Sequence, residues 1–193
     1  MLEQLKEELI TCASEISLHD YLEPEHCHVI EPFDVSGHYY KLLIAYCKLK
    51  QPKRIIEVGF REGWSARCMS VAVPDAKIAS YDLTMQHLNY DPKYDNVIHD
   101  TVGPDFAWCE LSYDNADFVF IDAEHDGTLE QKILKRILAT NFQGYVFWDD
   151  IRFNTPMSDF WKQITLPKIE VEEFATKKRD GSSMGFGVTY HEG

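Results

Sequence analysis

The stretch Arg54-Ile-Ile-Glu-Val-Gly-Phe-Arg-Glu-Gly-Trp-Ser65 decides the fold of this chain. An apolar run leads into the acidic residue Glu57, and Gly59 and Gly63 follow four residues apart, before a segment that is compatible with a helix. This pattern predicts a parallel strand that turns into a helix and leaves room for a ligand against the backbone. A carboxylate at the strand tip suits a ligand that carries a cation or hydroxyl groups. It does not suit a ligand that presents phosphates to the turn.

The composition describes a globular chain of modest size. With 193 residues, 45% of them hydrophobic, the chain fits one domain with a sizeable core. A net charge of −13 disfavours nucleic acid as a partner, because the phosphate backbone binds clustered Lys and Arg. The short basic run at residues 177–179 precedes Asp180-Gly181 and is typical of a hairpin tip.

The cysteines and the N-terminus point to a cytoplasmic protein. The five cysteines are odd in number and scattered, which indicates reduced intracellular thiols. The N-terminus is acidic and amphipathic and has no apolar stretch of signal-peptide type. Because no segment approaches the length needed to span a bilayer, we expect no membrane partner.

Strands and helices alternate along most of the chain. Residues 2–17 carry an apolar stripe of helical period, and a second helix is predicted over residues 37–48. The predicted strands cover residues 54–58, 77–81, 96–99, 116–121 and 145–148. The predicted helices that follow them cover residues 64–73, a short segment near Met85, and residues 102–111, 128–140 and 158–164.

The end of the chain departs from this alternation. Residues 169–174 and 185–190 are extended segments on either side of a Lys-Arg-Asp-Gly turn, which predicts an antiparallel hairpin. The runs at residues 118–121 and 145–148 are apolar throughout, as expected of strands covered by helices on both faces. The sequence therefore predicts an α/β fold. It is a doubly wound, seven-stranded, mostly parallel sheet with a C-terminal antiparallel hairpin and N-terminal helices.

Four segments resemble motifs of one enzyme family. Residues 57–65 resemble its first motif, and Tyr81-Asp82 ends the second strand, where the family carries an acidic residue. Phe120-Ile-Asp-Ala-Glu-His125 resembles the family segment Phe-Ile-Asp-Gly-Asp-His, and residues 144–151 resemble its fifth strand and acidic tip. Over residues 36–190 the chain thus resembles the class I S-adenosylmethionine-dependent methyltransferases. Within them it resembles the small, often metal-linked O-methyltransferases of the sugar and antibiotic-tailoring type.

The resemblance implies a single methyltransferase-like domain over residues 1–193. Residues 1–50 would supply N-terminal helices and an acceptor lid, and residues 51–193 would form the core that binds S-adenosyl-L-methionine. The acceptor would be a small molecule that receives the methyl group on a hydroxyl oxygen. Aromatic and histidine side chains of the lid would line its pocket, although ordinary surface placement explains them equally well; they are His19, Tyr21, His28 and Tyr39.

The cofactor-binding residues follow from the matched motifs. The predicted set is Glu57, Gly59, Gly63, Ser65, Asp82, Asp100 and Asp122. The glycines would let the backbone approach the methionine portion, Glu57 would attract its ammonium group directly or through water, and Asp82 would bind the ribose hydroxyls. Simpler explanations remain open: the glycines serve helix–strand packing, and Asp82 starts a turn. Asp100 caps a helix in the same simpler view, instead of contacting the adenine.

Three aspartates predict a metal site. Asp122, Asp149 and Asp150 come just after two apolar strands that neighbour each other in this fold, so their carboxylates meet at one sheet edge. Carboxylates packed together repel each other unless a cation is present or a pKa rises. Oxygen ligands favour Mg²⁺ or Mn²⁺. The alternative is that Asp149 or Asp150 caps a turn and Asp122 serves cofactor geometry.

Glu124 and His125 are the predicted catalytic bases, because methyl transfer to an alcohol requires a group that accepts its proton. The chain departs from the family here, since Ala123 replaces Gly, Glu124 replaces Asp, and Asp126-Gly127 replaces a pair such as Ser-Tyr. The competing interpretation is a solvent-facing cluster that caps the next helix.

Two other classes of function remain open. The first is a non-catalytic S-adenosylmethionine-binding module that keeps the fold. The second is a nicotinamide-dependent oxidoreductase, which the spacing disfavours because Arg61 and Trp64 stand where a dinucleotide site has glycines. A homodimer through the N-terminal helices would account for their apolar stripe, and burial against the sheet would produce the same stripe.

Overall fold

The computed structural model describes residues 1–22, 38–88, 93–101, 111–178 and 180–193. It contains one seven-stranded sheet with the strand order β3-β2-β1-β4-β5-β7-β6. The strands are β1 (Arg54–Val58), β2 (Lys77–Asp82), β3 (Val97–Thr101), β4 (Phe118–Ile121), β5 (Gly144–Asp149), β6 (Lys168–Glu170) and β7 (Phe186–His191). The α-helices are α1 (Leu2–Ser14), α2 (Tyr40–Lys50), α3 (Trp64–Ala72), α4 (Thr128–Leu138) and α5 (Thr155–Gln163). A short 3₁₀ helix covers Leu18–Asp20.

The first five strands are parallel, and the last two are antiparallel to their neighbours, as predicted. At the start of β1, one carboxylate oxygen of Asp117 accepts the backbone N–H groups of Lys53 and Arg54 at 2.7 and 2.9 Å. These bonds fix β1 against β4, so the ends of both strands reach the same edge of the sheet.

Alternate residues of the central strands pack into two cores, one on each face of the sheet. From β4, Phe118 and Phe120 pack into the core formed with α1, α2 and α3. Val119 and Ile121 pack into the core formed with α4 and α5. Burial on both faces explains why β4 is apolar at every position, since a strand with one face in water would alternate.

The apolar stripe of α1 is buried within the chain. Leu5, Leu9 and Ala13 are at most 2% exposed, and the helix packs against α2 and reaches β6. The stripe is therefore accounted for by packing inside one molecule. The homodimer through the N-terminal helices stays a prediction, and the apolar stripe of α1 does not support it.

The C-terminal hairpin holds α5 tightly against β7. A Cβ atom on Gly187 would lie 2.5 Å from the indole ring of Trp161, so only glycine fits at this point of the strand. At the other end of the hairpin, Lys177 pairs with Ser183 around the turn at Asp180-Gly181. The basic run thus lies at a hairpin tip, as the sequence predicted, with Arg179 outside the described residues.

The segment near Met85 is a turn where the sequence predicted a short helix. The hydroxyl oxygen of Thr84 accepts the N–H of Gln86 at 3.1 Å, and the N–H of Leu88 bonds to the Met85 carbonyl. A side chain that satisfies nearby backbone groups competes with helix formation, which explains the difference. The helix predicted over residues 102–111 falls almost entirely outside the described residues.

The cysteine thiols and the lengths of the helices relate to two predictions from the sequence, reduced thiols and no membrane partner. The described cysteines Cys12, Cys47 and Cys68 are free thiols, while Cys27 and Cys109 lie outside the described residues. None of the helices in the described ranges combines the length and the apolar character that crossing a membrane requires.

Candidate cofactor and acceptor site

A cavity of roughly 670 Å³ opens at the carboxyl ends of β1, β2, β4 and β5. This volume lies within the range of about 300–1,000 Å³ that is usual for small-molecule sites, and the location is where open α/β sheets bind ligands. The loops after these strands and the start of α2 supply the lining. Its aromatic and imidazole members are His38, Tyr39, Tyr40, Phe60, Trp64, His87, His125 and Phe153.

Gly59 lies where the ends of β1 and β4 come closest. Its φ angle is +90°, and a Cβ atom would lie 1.7 Å from the backbone oxygen of Asp122. A side chain is therefore sterically excluded, because the obstacle is backbone rather than a movable side chain. Gly59 is required by the packing of two strand ends, and the same approach brings Asp122 beside the β1–α3 loop. Gly63, with φ +83°, precedes the first residue of α3.

Asp82 organises the loop between β1 and α3. One of its carboxylate oxygens accepts the N–H groups of Phe60 and Arg61 at 3.0 and 2.8 Å, and the other accepts the N–H of Leu83 at 2.6 Å. Asp82 also lines the cavity. The structure thus gives Asp82 a turn-forming role and a position beside the cavity, and these two roles are compatible.

Glu57 lies beneath the cavity rather than in its wall. Its side chain is 0% exposed and accepts hydrogen bonds from the hydroxyl groups of Ser65 and Ser80. Burial raises the pKa of Glu57 to about 7, against the lowering effect of the two serine bonds. Ser65 lines the cavity, so it links Glu57 to any ligand bound there. A direct contact between Glu57 and a ligand ammonium group is not what this arrangement provides.

Asp122, Asp149 and Asp150 all line the cavity. The phenol of Tyr39 donates a hydrogen bond of 2.7 Å to Asp122 Oδ2. Asp149 and Asp150 are 4% and 9% exposed, and each has a buried Oδ1 atom without a hydrogen-bond partner in the described structure. Burial and neighbouring carboxylates raise the pKa of Asp149 well above its ordinary value. Burial raises the pKa of Asp150 to about 6, although His125 opposes the shift.

His125 projects between two of these aspartates. Its Nε2 atom is 3.2 Å from Asp122 Oδ1 and 3.9 Å from Asp150 Oδ2. Burial favours the neutral imidazole, but the hydrogen bond to Asp122 and the charges of Asp122, Asp150 and Glu130 outweigh it. The pKa of His125 is therefore raised above its ordinary value of 6.5. Glu124 also lines the cavity but is exposed and forms no recorded contact with the aspartates.

The three aspartates do not form a closed metal-binding set in this arrangement. Across the described ranges, no three His, Cys, Asp or Glu side chains lie close enough together to hold one ion. The unpartnered oxygens of Asp149 and Asp150 have the chemistry of Mg²⁺ or Mn²⁺ ligands, but His125 stands between Asp122 and Asp150. The metal site therefore stays a prediction.

The cavity brings together most, but not all, of the residues predicted from the sequence. Gly59, Ser65, Asp82, Asp122, Glu124, His125, Asp149 and Asp150 line it. Glu57 lies below it, and the lining set does not include Gly63 or Asp100. Asp100 is exposed on β3, and its carboxylate accepts the N–H of Thr101 at 2.8 Å. Its contact with adenine stays a prediction, because residues 102–110 that follow it are outside the described part.

The predicted acceptor lid is only partly described. Tyr39 lines the cavity, whereas His19 and Tyr21 are not among the lining residues, and His28 lies outside the described ranges. Four residues with contacts at or beside the site were not predicted from the sequence: His38, Ser80, Glu130 and Asn154. Asn154 carried a signal, since an Asn two residues before a Pro is typical of a helix N-cap. Glu130 also carried a signal, since a Glu at the third position of a helix forms a capping box with the N-cap residue, here Gly127. Ser80 bonds to Glu57, which is distant in sequence, so no local pattern marks it.

The fold is shared with solved structures of methyltransferases. A protein from Klebsiella pneumoniae, provisionally described as an O-methyltransferase, superimposes with a TM-score of 0.65 and 17% identity, covering 98% of this chain and 100% of that chain. The O-methyltransferase TomG from Streptomyces achromogenes, solved with S-adenosylmethionine, gives 0.62 and 15%, with 99% and 98% covered. An O-methyltransferase from Bacillus cereus, solved with S-adenosylhomocysteine, gives 0.58 and 15%, with 97% and 91% covered.

Similarity to solved structures at 15–17% sequence identity shows the fold of this chain but not its activity. No known family profile matches the chain, and a search of curated protein sequences finds no significant match. The function must therefore be argued from the site.

Proposed function

We propose that this protein is an S-adenosylmethionine-dependent methyltransferase that acts on a hydroxyl oxygen of a small molecule. The observation that carries the proposal is one cavity with two parts. The glycine loop and Asp82 form one wall, and the pair His125–Asp122 forms the other. A cofactor in the first part would direct its methyl group towards an acceptor in the second. Neighbours of the same fold that were solved with S-adenosylmethionine or S-adenosylhomocysteine support the choice of cofactor.

His125 is the better base candidate of the two. The acceptor oxygen attacks the methyl carbon, the carbon–sulfur bond breaks with its electron pair going to sulfur, and the hydroxyl proton passes to neutral His125. The products are the methyl ether, S-adenosylhomocysteine and a protonated imidazole, which Asp122 and Asp150 stabilise. Glu124 is exposed and has no hydrogen-bond or ion-pair partner among the described residues that would orient it, so it is the weaker candidate.

Assistance of the methyl transfer by a divalent metal ion is a more specific part of the proposed function. Asp122, Asp149 and Asp150 would hold Mg²⁺ or Mn²⁺, which lowers the pKa of a bound hydroxyl group. Two buried carboxylate oxygens, one each on Asp149 and Asp150, have no hydrogen-bond partner among the residues that the structure describes, and they support an ion at this place. The three side chains do not close around one point in the described structure. The proposed transfer from the cofactor to the acceptor oxygen therefore does not require the ion.

The charge of the cavity favours a neutral or basic acceptor. Six acidic residues line it (Glu62, Asp82, Asp122, Glu124, Asp149 and Asp150), whereas Arg61 is the one Lys or Arg among the described lining residues. Burial lowers the pKa of His38 to about 3, so this wall residue is neutral. An acceptor that carries phosphate or carboxylate groups would be repelled by this field.

Thermal unfolding with added ligands tests the cofactor. A ligand at a hundredfold excess over its dissociation constant adds about 2.7 kcal/mol to the free energy of unfolding. For a chain of this length we expect S-adenosylhomocysteine to raise the melting temperature by roughly 5–10 °C. A further rise on adding Mg²⁺ or Mn²⁺ would support the ion. No shift with S-adenosylhomocysteine would sink the methyltransferase proposal, and a shift with NADH alone would in addition favour the oxidoreductase.

A pair of variants separates the enzyme from a non-catalytic binding module. In an enzyme, His125→Asn should abolish the release of S-adenosylhomocysteine that a panel of hydroxyl compounds elicits from the wild type, while Glu124→Gln lowers it less. Both variants should keep the ligand-induced thermal shift. A wild type that binds the cofactor but turns over with no acceptor in the panel would favour the binding module.

A further inference from the structure

The backbone of His125 adopts an uncommon conformation. Its φ angle is +55°, in the left-handed region that residues with a side chain seldom occupy. Such a conformation persists where surrounding contacts impose it, and it is frequent at functional sites. The imidazole points at Asp122 and Asp150 because the backbone turns at this residue.

Glu130 holds the turn from the side of α4. Its carboxylate accepts the N–H of His125 at 2.8 Å through one oxygen and the N–H of Gly127 at 2.8 Å through the other. The residue is only 1% exposed, so water does not compete for these bonds. The N–H groups of His125 and Gly127 are thereby fixed to the first turn of α4.

Asn154 holds the opposite side. Its amide nitrogen donates to the carbonyl of His125 at 2.7 Å, and its amide oxygen accepts the N–H of Met157 at 2.9 Å. The second bond is the N-cap of α5. Because one partner is a carbonyl and the other an N–H group, both ends of the amide are used and its orientation is determined.

Close packing completes the connection between the turn and α5. A Cβ atom on Gly127 would lie 2.6 Å from the carbonyl oxygen of Pro156, so the turn rests directly on the start of the helix. The ring of Phe153, the residue before Asn154, lies 5.7 Å from the imidazole of His125, centroid to centroid. The segment of residues 153–156 therefore forms a rigid support for the turn.

We propose that Asn154 is a positioning residue: it holds the His125 turn against the start of α5 and thereby aims the imidazole at Asp122 and Asp150. The importance of this aim for methyl transfer rests on the proposed function. The positioning itself does not, since it follows from contacts within the chain. Asn154 touches neither the cofactor nor the acceptor in this account.

Substitutions that keep the N-cap but remove the amide nitrogen test the proposal. Ser and Asp cap helices about as well as Asn, yet neither offers an N–H donor to the His125 carbonyl. We would label the eight histidines with ¹⁵N and record imidazole spectra of Asn154→Ser and Asn154→Asp without ligand, and again with added S-adenosylhomocysteine. His125→Asn identifies the His125 signals by their loss. Asp114→Ala, which removes a bond to the N–H of Asn141 away from the cavity, is the control.

We expect the His125 ring signals to move towards those of exposed histidines in both Asn154 variants and to stay in place in Asp114→Ala. The melting temperatures of both Asn154 variants should stay near that of the wild type. A shift in Asn154→Asp alone would be an effect of its new charge and would overturn the proposal, as would unchanged signals in both. This readout needs no acceptor, so it stands even if the chain proves not to be a methyltransferase.

With an acceptor identified, a second measurement follows. Turnover in Asn154→Ser should fall about tenfold or more, part of the roughly 10²–10⁴ that a well-placed base contributes, while S-adenosylhomocysteine affinity is unchanged. Displaced His125 signals with full turnover would show that the aim does not matter for transfer. Failure of S-adenosylhomocysteine to bind the wild type would instead count against the proposed function.

Discussion

Glu57 shows how one buried carboxyl group links the pH to the stability of the fold. Its pKa is raised to about 7 from an ordinary value of 4.5 by full burial. The folded chain therefore binds more protons than the unfolded chain between these values, and the free energy of unfolding falls as the pH rises through them. The stabilisation that the fold gains from keeping the Glu57 carboxyl group protonated is complete below pH 4.5, the ordinary pKa. It is lost as the pH rises above about 7, the pKa in the folded chain.

The variant Glu57→Gln should lack this loss, because its side chain does not ionise. From pH 5 to pH 8, its free energy of unfolding should rise relative to that of the wild type by on the order of 3 kcal/mol. Urea unfolding at both pH values measures the difference, and Glu3→Gln, at an exposed position of α1, serves as the control. A constant difference between Glu57→Gln and the wild type would show that Glu57 titrates as an ordinary carboxyl group.

Gly59 gives a second prediction at the scale of one residue. In Gly59→Ala the new methyl group meets the backbone oxygen of Asp122, so the ends of β1 and β4 must separate. We expect a loss of at least about 3 kcal/mol in the free energy of unfolding, at the upper end of overpacking effects. Gly181→Ala is the matched control, since its φ is +82° but nothing lies within 4 Å of its Cβ position. Similar losses in the two variants would mean that backbone strain, not the contact with Asp122, requires Gly59.

The sequence marked these two residues without revealing what they do. The motif placed Glu57 and Gly59 at a strand tip, which is correct, because the motif is local in sequence. The contacts that define their roles come from Ser80, which belongs to β2, and from Asp122, which directly follows β4. Pairs of this kind become neighbours only when the sheet assembles, so one sequence does not show them.

At the scale of elements, the loop between β1 and α3 depends on Asp82 at the end of β2. Asp82→Asn keeps a carbonyl oxygen for the N–H groups of Phe60 and Arg61, whereas Asp82→Ala leaves both without this acceptor. We expect Asp82→Ala to weaken S-adenosylhomocysteine binding more than Asp82→Asn, with about 1 kcal/mol lost for each hydrogen bond removed. Isothermal titration calorimetry measures both. Equal losses would assign the effect to the charge of Asp82 alone.

The elements themselves were the most predictable part of the fold. β1 was predicted at its observed bounds, and β2 and β5 within a residue or two, since apolar runs between turn residues mark buried strands. The segment near Met85 was predicted wrongly, because the side chain of Thr84 bonds locally instead of allowing a helix. Helix α5 begins at Thr155, three residues before the predicted start, because Asn154 caps it there.

For the whole molecule, α1 is part of the main core. Leu9 is 0% exposed, so Leu9→Ala should lower the free energy of unfolding by about 2–5 kcal/mol, as for other buried leucines. Leu2→Ala, at a partly buried position, should have a smaller effect. Denaturant unfolding with one cooperative transition is the measurement. A loss below about 1 kcal/mol for Leu9→Ala would mean that α1 docks weakly. Its stripe would then be open to a second copy of the chain, which sedimentation would detect.

The sequence by itself determined the α/β class, the order of the strands in the chain, the hairpin and the aspartates at the strand ends. These depend on hydrophobic period and turn residues, which act over a few neighbouring positions. Only the tertiary structure decided that Glu57 lies beneath the cavity, that Tyr39 bonds to Asp122, and that Asn154 holds His125. Each of these depends on which strand ends and helix starts meet in space, and distances between segments far apart in the chain are set by packing of the whole sheet.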